Sequence, residues 1–68
     1  MIRLQVNGQP RELAAASVAD ALGALAIPPD ARGLAVALTG ALVTRARWAA
    51  TPLAAGDRLE IVRAVSGG

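Results

Sequence analysis

The last three residues, Ser66-Gly67-Gly68, are where residue type and position together point to covalent chemistry in this 68-residue chain. The sequence closes on two glycines with no polar filler beyond them, and the expectation is a free α-carboxylate on the least hindered residue available. Reactive side chains elsewhere are scarce. The chain has no Cys and no His, which excludes disulfides, thiolate or imidazole metal sites, and Ser-His or Cys-His nucleophile systems. The five acidic residues, Glu12, Asp20, Asp30, Asp57 and Glu60, fall at no spacing that suggests a paired-carboxylate site. An enzyme working alone is therefore not expected, and no metal is called for. A loose terminus is ordinarily frayed chain. Here the reading preferred is functional: residues 66–68 form a mobile tail whose working group is the Gly68 carboxylate.

A tail needs a rigid root, and the preceding residues supply one. Leu59 and Ile61 alternate with Arg58 and Glu60, the pattern of a strand packed on one face, and Gly56-Asp57 provides the turn that starts it. At the other end of the chain, Ile2, Leu4 and Val6 alternate with Arg3 and Gln5. Asn7-Gly8 tolerates the positive φ values of a type I′ turn and predicts a hairpin onto a second strand over residues 9–13. Pro10 removes a ladder donor and places that strand at a sheet edge. Ser17, with Asp20 three residues on, reads as an N-cap, and Val18, Ala21, Leu22 and Leu25 recur at helical spacing. The prediction is a helix over 18–26, closed by Pro28-Pro29. Leu34 to Leu38 is apolar on both faces, so it is either an internal strand or one covered by a partner. Thr39-Gly40 is a tight turn, Ala41 to Val43 pairs back, and Arg45 to Trp48 makes a short helical turn with Trp48 capping the core. The order strand, strand, helix, strand, strand, strand implies an α+β fold, one helix on one face of a mixed sheet of four or five strands. The last strand should lie parallel to the first. Residues 1–65 form the domain and 66–68 the tail.

Composition bounds the partners. All seven basic residues are Arg, scattered along the chain, and Trp48 is the one aromatic, so no basic stripe with stacking platforms is present and nucleic acid is not an expected partner. Without Lys the chain offers no side-chain amine for Lys-linked polymers of itself. The Ala- and Leu-rich stretch from Leu13 to Ile27 is interrupted by Ser17 and Asp20 and is shorter than the roughly 20 residues of a membrane span. A cytoplasmic protein without membrane association is expected.

Taken together, Ile2-x-Leu4-x-Val6-Asn7-Gly8, Leu34-Ala35-Val36-Ala37-Leu38, Arg45-x-x-Trp48, Gly56-Asp57-Arg58-Leu59-Glu60-Ile61-Val62 and the terminal Gly67-Gly68 resemble the ThiS family of sulfur carriers in thiamin thiazole synthesis. The resemblance covers essentially the whole chain. Thr39 departs from it where an Asn is common, and Thr44 where a Pro often precedes the arginine. It implies the ubiquitin-like β-grasp fold and a cycle of sulfur transfer. An E1-like adenylyltransferase of ThiF type would use Mg-ATP to adenylate Gly68. Sulfur from a donor such as a persulfide-bearing protein would then give a thiocarboxylate, and a thiazole synthase of ThiG type would take the sulfur. The carrier itself binds no cofactor. Ser66 and Gly67 would thread the tail into partner active sites, since small residues pass through a narrow channel.

Docking needs a surface. If Leu59 and Ile61 face the helix, Val62 and Ala64 fall on the open sheet face with Ala35 or Ala37, and Arg58 and Arg63 could steer an acidic partner. Val62 lies six residues before the terminal glycine, as does the ubiquitin patch residue it resembles. Scattered exposed residues and solvated charge are the plainer account of the same positions. Two other functions share the tail chemistry. One is the molybdopterin synthase small subunit, whose Phe-Pro-Pro stretch is replaced here by Val62-Arg63-Ala64-Val65. The other is a ubiquitin-like protein modifier joined to amines through Gly68.

Overall fold

Alternating apolar residues at the N-terminus form β1 (Ile2–Val6), with Leu4 and Val6 buried and Arg3 and Gln5 exposed. Asn7 and Gly8 take φ values of 51° and 81°, both positive as a type I′ turn requires, and return the chain as β2 (Gln9–Leu13). The computed structural model describes residues 1–28 and 30–63. The helix α1 (Val18–Ala24), β3 (Leu34–Leu38), β4 (Ala41–Val43), a single 3₁₀ turn (Arg45–Arg47) and β5 (Arg58–Arg63) complete the order. Five strands make one sheet in the spatial order β2-β1-β5-β3-β4. β5 is central and runs parallel to β1; the other neighbouring pairs are antiparallel. Pro10 sits on the outer strand, where its missing N–H costs no ladder bond. β3 is an internal strand, between β5 and β4, which explains its apolar character on the face that meets the helix.

The first three N–H groups of α1 all find acceptors. Ser17 accepts from the Asp20 N–H at 3.2 Å, and the Asp20 carboxylate accepts from the Ala16 N–H at 3.1 Å, so this capping box reaches one residue further back than the usual form. The two remaining first-turn donors are taken by the chain beyond the 3₁₀ turn: Val18 N–H donates to the Thr51 carbonyl and Ala19 N–H to the Trp48 carbonyl. The helix therefore docks on residues 48–51 as well as on the sheet.

Its other end differs from the sequence expectation. α1 stops at Ala24, not at Ala26, because Ala26 adopts φ 62°. Ile27 N–H then donates to the Leu22 carbonyl and Ala26 N–H to the Gly23 carbonyl, the bond pair of a Schellman motif. This reversal brings Ile27 back against the core ahead of Pro28, whose ring disfavours a helical Ile27.

Leu4, Val6, Leu13, Val18, Ala21, Leu22, Val36, Val43, Trp48 and Leu59 form the core between helix and sheet. Trp48 is buried; its indole N–H donates to the Val43 carbonyl at 3.0 Å, and the Arg45 guanidinium lies over its ring at 4.8 Å. Arg45 also donates to the Ala31 carbonyl, which ties the connector before β3 to the 3₁₀ turn. Before β5, Gly56 at φ 90° and the Asp57 carboxylate, accepting from Ala54 N–H at 2.8 Å, close the turn that delivers the last strand.

Candidate functional site

β5 occupies the middle of the sheet, and its pairings fix which way each side chain points. Leu59 and Ile61 face α1: Leu59 is fully buried and Ile61 packs against the core. Strand alternation then puts Arg58, Glu60 and Val62 on the opposite face, which no helix among the described residues covers. On β3, Ala35 lies beside Val62 and Ala37 beside Glu60, and across β3 Ala37 also pairs with Leu42 of β4. Val62, Ala35, Ala37 and Leu42 thus share one surface, with Glu60 among them and Arg58 toward β1. Val62 is 60% exposed and Leu42 73% exposed, two of the few large apolar side chains left in water among the described residues.

The sequence reading placed Val62 and Ala37 correctly on this face but did not include Leu42. The signal was present. Thr39-Gly40 forms a two-residue hairpin with φ 49° and 86°, which sets Leu42 opposite Ala37 and therefore on the same face. Arg58 and Arg63 were grouped as one steering pair, and the strand separates them. Arg63 has the parity of Leu59 and Ile61, so it belongs to the helix side of the sheet, while Arg58 belongs to the open face. Ala64, Ser66, Gly67 and Gly68, which the sequence reading assigned to docking and chemistry, lie outside the described residues.

One contact on β5 has no counterpart in the sequence reading. Asn7 does more than turn the first hairpin. Its side-chain oxygen accepts from the Ile61 N–H at 2.8 Å, and its amide nitrogen donates to the Ile61 carbonyl at 3.2 Å.

The described residues form no catalytic constellation. No group of three or more Asp, Glu, His or Cys residues is placed to hold a metal ion among them. A shallow groove between β1, β2 and the turn before β5 is lined by Arg3, Leu4, Gln5, Pro10, Ala55 and Gly56, and its single ionisable side chain provides no acid–base pair. No helix among the described residues is long and apolar enough to cross a membrane.

One helix laid across a five-stranded mixed sheet, with the first and last strands parallel at its centre, is the ubiquitin-like β-grasp architecture. The chain belongs to the ThiS family, whose model matches residues 4–68 and so includes the terminal diglycine. A crystal structure of the thiamine biosynthesis protein ThiS from Geobacter metallireducens is similar, with a TM-score of 0.80 and 31% identity over 98% of this chain and 100% of that one. A solution NMR structure of a thiamine biosynthesis protein from the same organism has a TM-score of 0.77 and 31% identity, covering 98% of this chain and 88% of that one. No curated protein sequence matches the chain. The ThiS family is one of small sulfur carriers.

Proposed function

We propose that this chain carries sulfur for thiamin biosynthesis as a thiocarboxylate on Gly68. The observation that carries the reading is the ThiS family match through residue 68 on a scaffold whose central strand leads to that end. A carboxylate resists nucleophiles because it is anionic and has a poor leaving group. An E1-like adenylyltransferase partner, using Mg-ATP, overcomes this: a Gly68 carboxylate oxygen attacks the α-phosphorus, pyrophosphate leaves, and a mixed anhydride with AMP forms. The terminal sulfur of a persulfide donor then attacks the acyl carbon and AMP leaves, giving an acyl disulfide. A thiol cleaves that disulfide, is itself oxidised to a disulfide, and leaves the thiocarboxylate whose sulfur a thiazole synthase accepts. This chain supplies the acyl end and the surface that docks it, with Val62, Leu42, Ala35 and Ala37 meeting an apolar patch on the partner and Arg58 at its margin. Ser66 and Gly67 have side chains small enough for a narrow partner channel.

Removing Gly68 tests the assignment. The truncated chain is expected to release no pyrophosphate with the cognate adenylyltransferase while melting at the same temperature as the full chain. Normal adenylation of the truncated chain would refute the role of Gly68.

A further inference from the structure

Parallel pairing between β1 and β5 is short. Gln5 N–H donates to the Asp57 carbonyl and Asn7 N–H to the Leu59 carbonyl, each at 2.9 Å, and there the backbone of β1 turns away into the first hairpin. β5 continues to Arg63. The next groups it offers on the β1 side are the N–H and carbonyl of Ile61, and both are taken by the Asn7 carboxamide. A carboxamide presents the same acceptor and donor as a peptide unit. Asn7 therefore extends the ladder by one step beyond the end of β1, across 54 positions of sequence. On its other side β5 stays paired with β3 through Leu34 and Arg63. Without the Asn7 side chain, the stretch of β5 after Leu59 would be held from the β3 side alone; Ile61, the residue clamped, lies seven residues before the proposed reactive end.

We infer that Asn7 is a positioning residue for the activation of Gly68: its carboxamide fixes the course of β5 as it leaves the sheet, and so the direction in which the acyl end is presented to the adenylyltransferase. The inference rests on the carrier reading above. It divides the labour between two parts of one strand. Docking belongs to the open face and governs KM; presentation of the end belongs to the Asn7 clamp and governs kcat, because a misdirected carboxylate reaches the α-phosphorus in reactive geometry less often.

The test is the steady-state kinetics of adenylation by the cognate enzyme for the wild type, Asn7→Gly, and the double variant Asn7→Gly/Thr39→Asn. Glycine keeps the positive φ of the turn and removes only the carboxamide, while Thr39→Asn relieves a β-branched residue held at φ 49° and compensates the lost stability. The expected result is a kcat lowered roughly tenfold, within the range that misplaced reacting groups lose, with KM nearly unchanged and the defect persisting in the double variant at wild-type melting temperature. An unchanged kcat in Asn7→Gly, or recovery of kcat in the double variant, would reduce Asn7 to a stability contact and overturn the inference. Absence of adenylation in the wild type would instead overturn the carrier reading on which it stands.

Discussion

Three non-glycine residues occupy left-handed backbone where the chain reverses, and at two of them, Ala26 and Thr39, a different residue would serve the fold better. Ala26 at φ 62° ends the helix, and Thr39 at φ 49° opens the β3–β4 hairpin. A β-branched residue is a poor occupant of that region, whereas Asn tolerates it. Thr39→Asn is expected to stabilise the domain by about 1 kcal/mol. For a chain of this size that corresponds to a rise in Tm of about 4–8 °C, readable by thermal unfolding. Ala26→Gly should act in the same direction by about 0.5–1 kcal/mol, the Schellman position being one that glycine fills without a Cβ penalty. A lowered Tm in either variant would contradict the strain assigned here. The helix end also shows why part of the local structure was not legible in advance. A Schellman motif announces itself by glycine, and alanine at that position leaves only the later prolines as a stop signal, two residues too far along. The Ser17 cap and the Asn7-Gly8 turn were legible because their residue types match the backbone they adopt.

Strand β5 joins the core to the surface. Its inward residues, Leu59 and Ile61, hold it to α1, and its outward residue Val62 stands in a mostly apolar row with Ala35, beside Ala37 and Leu42. Exposed apolar residues grouped on one face mark contact surfaces more often than the same residues dispersed singly. Val62→Glu and Leu42→Glu are each expected to weaken binding to the adenylyltransferase by roughly tenfold or more, the cost of an apolar anchor lost from an interface. Substitutions at such exposed positions should leave stability within about 0.5 kcal/mol. Binding by titration calorimetry, with circular dichroism as the fold control, reads both. Unchanged affinity in the two variants would move the interface elsewhere. Arg63→Ala should change binding less than Arg58→Ala, because strand parity puts Arg63 on the helix side. The face of Val62 followed from alternation within one strand. Leu42 required the register across the Thr39-Gly40 hairpin, and the Asn7–Ile61 contact required the register between the first and last strands, which their expected adjacency does not fix, so neither followed from alternation within one strand.

A domain of 68 residues has little stability to spare, a few kcal/mol at most from a single core of this extent. Leu59 is fully buried at the centre of that core, on the strand that leads to the diglycine. Leu59→Ala is expected to cost about 2–5 kcal/mol, enough to leave much of the population unfolded at ordinary temperature, as urea titration would show. A cooperative transition with an unchanged midpoint would contradict the central place given to β5. The overall topology was legible because each hydrophobic run has the period of its element and each turn carries suitable residues, so that few arrangements of so short a chain remain. In the proposed function this scaffold serves by offering its Gly68 end to other proteins' active sites, and the family match through residue 68 supports that reading. The most direct test is intact-mass analysis of the chain after incubation with its adenylyltransferase, Mg-ATP, a persulfide donor and a thiol. The account expects one oxygen of the Gly68 carboxylate to be replaced by sulfur, with fragmentation placing the exchange on the last residue. A chain recovered with its original mass, or sulfur found anywhere other than Gly68, would contradict it.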